Sequence, residues 1–139
     1  MTTENEAILG SAVTSGSTEV RWSSTSRVAL VRYTQGAILT ELDGVFLVEA
    51  LERWIGPGGE PFGVLADGTG LRGTEGGYRA LVGRFFRQHR RDARIALINL
   101  GPVIHVVVEM FRLGTGVPLR SFGDEAAARA WLRGEGIAA

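Results

Sequence analysis

Apolar positions change their spacing several times along the chain, and each change marks an element. Val20 to Trp22 and Val28 to Tyr33 (VALVRY) are short β-branched runs joined by the polar turn Ser23 to Ser26, the pattern of an opening β-hairpin. Thr40 followed by Asp43 forms a capping box. Leu47, Val48, Leu51, Trp54 and Ile55 then recur at helical spacing with Glu49, Glu52 and Arg53 opposite, which predicts a first helix ending at Ile55. Gly56 to Pro61 (GPGGEP) turns the chain, and Phe62 to Ala66 is a short apolar run suited to a central strand.

A glycine-rich loop, Asp67 to Gly73, follows, with Thr74 placed to cap a second helix. The inward stripe of that helix is Tyr78, Leu81, Val82, Phe85 and His89, and Arg87, Arg90 and Arg91 gather at its C-terminal end, where a cation is favoured. Ile95 to Leu100 (IALINL) is the next buried strand. Pro102 to Phe111 (PVIHVVVEMF) fits either a strand, by its β-branched run, or a helix, by the spacing of Ile104, Val107, Val108 and Phe111. Pro102 at a first helical position decides for the helix, with His105, Glu109 and Arg112 on its wet face. Val117 to Ser121 makes a last strand, and Asp124 opens a last helix with Ala127, Ala128, Trp131 and Leu132 inward. The fold class expected is α/β, a mixed, mainly parallel sheet of about five strands with about four helices in the order β-β-α-β-α-β-α-β-α.

Composition narrows the function. A length of 139 residues allows one hydrophobic core, and 45% apolar with 22% charged residues is ordinary for a globular domain. Residues 1 to 18 are rich in Thr, Ser and Gly and are expected to form a disordered N-terminal tail, leaving residues 19 to 136 as a single domain. All 15 basic side chains are arginines and balance 15 acidic ones, so no net field draws the chain to nucleic acid. The basic cluster Arg84 to Arg94 reads better as the flank of a helix C-terminus than as a nucleic-acid site. With 0 cysteines there is no disulfide, thiolate nucleophile or Cys-ligated metal. The acidic, polar start lacks the features of a signal peptide, and no apolar run reaches the ~18 to 20 residues of a membrane span. A cytoplasmic protein is the expectation.

The segments RVALVRYTQGAILTELD (Arg27 to Asp43), VLADGTGLRG (Val64 to Gly73) and PLRSFGDEAAARAWL (Pro118 to Leu132), in this element order, resemble the small bacterial domains of the sulfate-transporter and anti-sigma-factor-antagonist (STAS) type. The resemblance covers Val28 to Arg133. It implies a non-enzymatic domain that docks on a partner protein, sometimes under a phosphorylation switch, while some relatives bind lipids or nucleotides instead. Better-known members carry an Asp-Ser-Ser-Gly word at the start of the helix after the central strand, and that word falls here on Thr74, Glu75, Gly76 and Gly77. Glu75 replaces the phosphorylatable serine, so either the position is permanently anionic or the switch does not operate. Thr74 is a candidate phosphate acceptor, although a helix cap accounts for it.

Other chemistry is weakly supported. Gly68, Gly70 and Gly73 match G-x-G-x-x-G between a strand and a helix, but the helix starts only at Thr74, and Asp92 precedes the next strand where a ribose-binding carboxylate should close it. Turn glycines explain the pattern as well. The two histidines, His89 and His105, lack metal-ligand spacing, and His105 with Glu109 reads as a surface pair. The general site is the edge where parallel strands end, at Thr34 to Thr40, Asp67 to Thr74 and Leu100 to Pro102.

The leading expectation is therefore a non-enzymatic interaction module with no catalytic residue, metal or cofactor. Its partner- or anion-binding loop is Asp67, Gly68, Thr69, Gly70, Thr74 and Glu75. Another protein is the expected partner, and a homodimer is allowed. The alternative is a small-ligand or lipid-binding domain whose pocket lies between sheet and helices with Val103 to Phe111 as wall; helices packed tightly on the sheet would argue against it.

Overall fold

The computed structural model describes residues 12–134. Its elements in chain order are β1 (Ala12–Thr14), β2 (Thr18–Ser23), β3 (Val28–Tyr33), β4 (Ala37–Leu39), α1 (Glu41–Ile55), β5 (Phe62–Asp67), β6 (Leu71–Thr74), α2 (Gly76–Gln88), β7 (Ala93–Ile98), α3 (Pro102–Thr115), β8 (Leu119–Phe122) and α4 (Glu125–Leu132). The main sheet runs β1-β2-β3-β5-β7-β8. Its first three strands are antiparallel, and β3, β5, β7 and β8 are parallel, each reached through a crossover. The α/β class, the four helices and the mixed sheet all agree with the pattern of apolar positions.

Register decides what each strand presents. Ala29, Val31 and Tyr33 of β3 face α1, α2 and α3, whereas Val28 and Leu30 face α4. β5 and β7 have helices on both sides, so their residues are buried almost without interruption, as expected for central parallel strands. On the larger face, Trp22 stacks on Trp54 with ring centroids 5.8 Å apart, joining α1 to β2. On the other, α4 lays Ala128 and Trp131 over β5 and β7.

The helix starts follow from local chemistry. The Thr40 hydroxyl accepts from the Asp43 N–H while the Asp43 carboxylate accepts from the Thr40 N–H, the expected capping box. Asp124 accepts from the Ala127 N–H at 2.8 Å. Residues 102 to 111 are helical, with Pro102 in the first turn and Gly116 closing the helix in the left-handed conformation.

Three expectations need correction. Part of the supposed disordered tail is ordered: Ala12–Thr14 pairs antiparallel with Glu19–Arg21 and lays Val13 half-buried against the main core, because even a three-residue strand can rest on the ladder hydrogen bonds of a neighbour. Residues 1–11 of that tail, like residues 135 and 136 of the expected domain, lie outside the described residues. Asp67 to Gly73 is not all loop, since β6 pairs in parallel with β4 in a separate two-stranded sheet. Finally, Thr74 does not cap α2. It is the last residue of β6, the N-cap is Glu75, and no side chain caps there.

The wet face of α3 is also different from its reading. His105 is exposed, but so are Val103, Val106, Met110 and Leu113, and Ile104 and Thr115 are the helix's buried residues. Glu109 pairs with Arg112 at 3.0 Å rather than with His105.

Candidate functional site

Asp67 closes β5 at the carboxyl edge of the parallel strands. Its Oδ1 accepts from the Thr69 N–H (2.9 Å), the Thr69 hydroxyl (2.7 Å) and the Asn99 Nδ2 (3.0 Å), which ties the loop after β5 to the loop after β7. Partial burial acts to raise the Asp67 pKa, but the hydrogen bonds from Asn99 and Thr69 and the field of Arg32 outweigh it. The net shift is downward, and the carboxylate is held ionised.

The neighbouring glycines are accounted for by packing. A Cβ on Gly68 would lie 2.9 Å from Leu100 Cδ2 and 3.0 Å from the Asn99 carbonyl oxygen. Gly70 has φ +81°, and a Cβ there would meet Gln35 Cα at 3.0 Å. Its carbonyl accepts from the Gly36 N–H at 2.7 Å. A Cβ on Gly73 would meet nothing within 4 Å, and the residue sits in the extended strand β6. The glycine spacing therefore belongs to the docking of β6 beside β4, and the third glycine does not open a helix as a dinucleotide site requires.

Thr74 and Glu75 lie at the far end of β6 from Asp67, separated by roughly 13 Å of extended chain. The Thr74 hydroxyl accepts from Arg79 Nη1 at 2.8 Å, and the Thr74 carbonyl accepts from the same nitrogen at 2.6 Å. Glu75 is exposed, and its N–H donates to the Leu39 carbonyl at 2.8 Å. The six predicted loop residues thus form two groups, Asp67 to Gly70 against Asn99 and Gln35, and Thr74 with Glu75 against Arg79 and Leu39. Gly68 of the first group and Thr74 of the second both line a cavity beneath α3.

A second feature lies beneath α3. A cavity of about 110 Å³ separates the sheet from α2 and α3, floored by Val64, Ala66 and Leu97 and roofed by Ile104, Val107 and Phe111. Tyr33, Tyr78, Thr74 and Arg79 supply its polar boundary. The Tyr33 and Tyr78 hydroxyls are hydrogen-bonded to each other. Burial, with the Asp67 charge adding to it, pushes Tyr33 up to about 12 against the relief of the Tyr78 hydrogen bond. Burial likewise holds Tyr78 well above the usual phenol range, reinforced by Tyr33 and by the charge of Asp43. The cavity lies beside the contacts that Ile104, Val108 and Phe111 of α3 make with the core.

Sequence reasoning missed Tyr33, Arg79 and Asn99. Tyr33 was legible from its phase, since it continues the Ala29, Val31 alternation toward the helices. Arg79 and Asn99 carried no signal, because their roles depend on segments brought together only by the sheet. His89 is structural: its ring sits 4.5 Å from Phe85 and edge-on to Phe62 at 5.8 Å, with Asp92 at 3.9 Å.

No protein-family model matches the chain, and no curated protein matches it. Among solved structures it is similar to a Shewanella loihica protein described as an uncharacterised member of the DUF3478 family with a SpoIIAA-like fold. The TM-score is 0.58 at 21% sequence identity, over 76% of this chain and 83% of that one. With that similarity and the strand order above, the STAS-like resemblance read from the sequence holds at the level of architecture: this chain has a SpoIIAA-like fold.

Proposed function

We propose that the chain is a non-enzymatic STAS-like regulatory or interaction module that docks on another protein in the cytoplasm and works without the usual serine switch. The observation that carries this reading is the face where the starts of α1 and α2 lie side by side. Leu42 is 80% exposed and Ile38 46% exposed there. The Leu39 carbonyl is bonded to the Glu75 N–H, and a Cβ on Gly77 would lie 3.1 Å from Glu41, so Glu41 and Glu75 both belong to the junction of β4, α1 and α2. Large apolar side chains held outward by a capped helix and a strand are what a partner pocket buries, and the carboxylates of that junction favour a partner with a basic rim.

Glu75 occupies the place of the serine in the family word, so the charge that phosphorylation installs elsewhere is built in. Thr74 remains the candidate phosphate acceptor of this reading, with the Arg79 guanidinium already on its hydroxyl.

The test is co-purification of the tagged full chain from its host under gentle conditions. A partner retained by the wild type and by Val106→Glu, but lost from Leu42→Glu, supports the reading. Equal retention by both variants, or no partner at all, overturns it.

A further inference from the structure

We propose that the cavity beneath α3 and the groove leading out of it bind a small amphipathic carboxylate, with its aliphatic tail against Val64 and Phe111 and its head group on Arg79.

Shape is the first argument. The cavity of about 110 Å³ and a neighbouring groove of about 330 Å³ share Arg79, Val107 and Phe111, so they meet along the seam between α2 and α3. The inner part is apolar, and an apolar cavity of ~150 Å³ stays dry and admits a benzene-sized guest. The cavity here is smaller than that, so it takes the inner few carbons of an aliphatic tail and the groove takes the rest. Only Ile104 and Thr115 of α3 are fully buried, and Val107, Val108 and Phe111 along the seam are half-buried.

Charge is the second. The residues lining the cavity and the groove include Arg79 and Arg87 and no carboxylate. Neither arginine has an acidic partner within ion-pair distance among the described residues. Arg79 is aimed by Thr74, which takes two bonds from Nη1 and leaves the other guanidinium donors for a ligand. One guanidinium at the mouth of an apolar space matches a planar, singly charged carboxylate, which it can hold by two parallel bonds. A multiply charged head would need a denser cluster of cations.

The experiment is isothermal titration of the full chain with octanoate, octanol and octylammonium, followed on wild type, Arg79→Gln, Val107→Trp and Val106→Trp. Saturable octanoate binding is expected, with octanol about tenfold weaker and octylammonium weaker still. Arg79→Gln is expected to remove the preference for octanoate over octanol. Val107→Trp fills the seam and is expected to abolish binding of both, while Val106→Trp, on the outward side, leaves it intact. Because Val107→Trp could also disturb folding, methyl chemical shifts of Ile104, Val64 and Val107 in the wild type give an independent readout and are expected to move with octanoate. Absence of saturable binding, undiminished binding by Val107→Trp, a preference that survives Arg79→Gln, or shifts confined to other sites overturns the proposal.

Discussion

Asn99 donates its side-chain amide to the Asp67 carboxylate at 3.0 Å, and this single bond spans the loops that leave two adjacent parallel strands. Asn99 adopts φ 59° to make it, a left-handed conformation that asparagine tolerates better than most side chains. Asp67→Ala removes the acceptor of three donors and is expected to cost about 1 kcal/mol, after discounting for partial exposure, in urea unfolding. Because the folded pKa of Asp67 is depressed, its contribution is present above the ordinary carboxylate pKa and is lost as the pH falls through the folded value. The stability gap between wild type and Asp67→Asn is therefore expected to hold at pH 5 to 7 and to close on acidification below about pH 4.

The chain has 2 tyrosines; burial holds both protonated, and Tyr33 reinforces the upward shift of Tyr78. Absorbance at 295 nm is expected to stay flat in the native protein through pH 10, where the chain in guanidinium titrates normally. A raised phenol pKa stabilises the fold below the unfolded value and loses that contribution as the pH climbs toward about 12. Native tyrosine ionisation near pH 10 would contradict the buried pair.

Thr40→Ala is expected to destabilise by about 1 kcal/mol through loss of the α1 cap. Asp43→Ala is expected to cost more, about 2 kcal/mol, because Asp43 is buried and also accepts from Ser15 at 3.3 Å, tying β1 and its turn to the helix. Equal effects in denaturant melts would show the Ser15 bond to be energetically silent.

Because Gly70 has a positive φ and lies against Gln35, Gly70→Ala is expected to cost about 1 to 2 kcal/mol of stability whatever the loop binds. Gly73→Ala, whose added Cβ would meet nothing within 4 Å, is expected to stay within about 0.5 kcal/mol. Thermal melts of the two variants side by side check this.

Leu42→Glu and Val106→Glu replace exposed apolar side chains and are expected to leave the unfolding free energy within about 0.5 kcal/mol of wild type. Any loss of partner binding in Leu42→Glu then reflects the surface rather than the fold, which the same denaturation series establishes.

What the sequence determined by itself is what short-range chemistry controls. The α1 and α4 caps and the buried central strands follow from side chains acting within a few residues, so pattern and spacing were enough to place them, whereas the Pro102 segment fitted strand and helix alike and its packing against α2 settles it as a helix. Tertiary structure decided the rest. β1, β4 and β6 are too short to carry a readable alternation; each is a strand only because a partner strand supplies its ladder hydrogen bonds. For the same reason Thr74 ends a strand instead of capping a helix, and Arg79 could not be seen to share a cavity with Val107 and Phe111. A capping box is complete within one turn of chain. A cavity exists only between elements, and its lining is set by how α2 and α3 come to rest over the sheet.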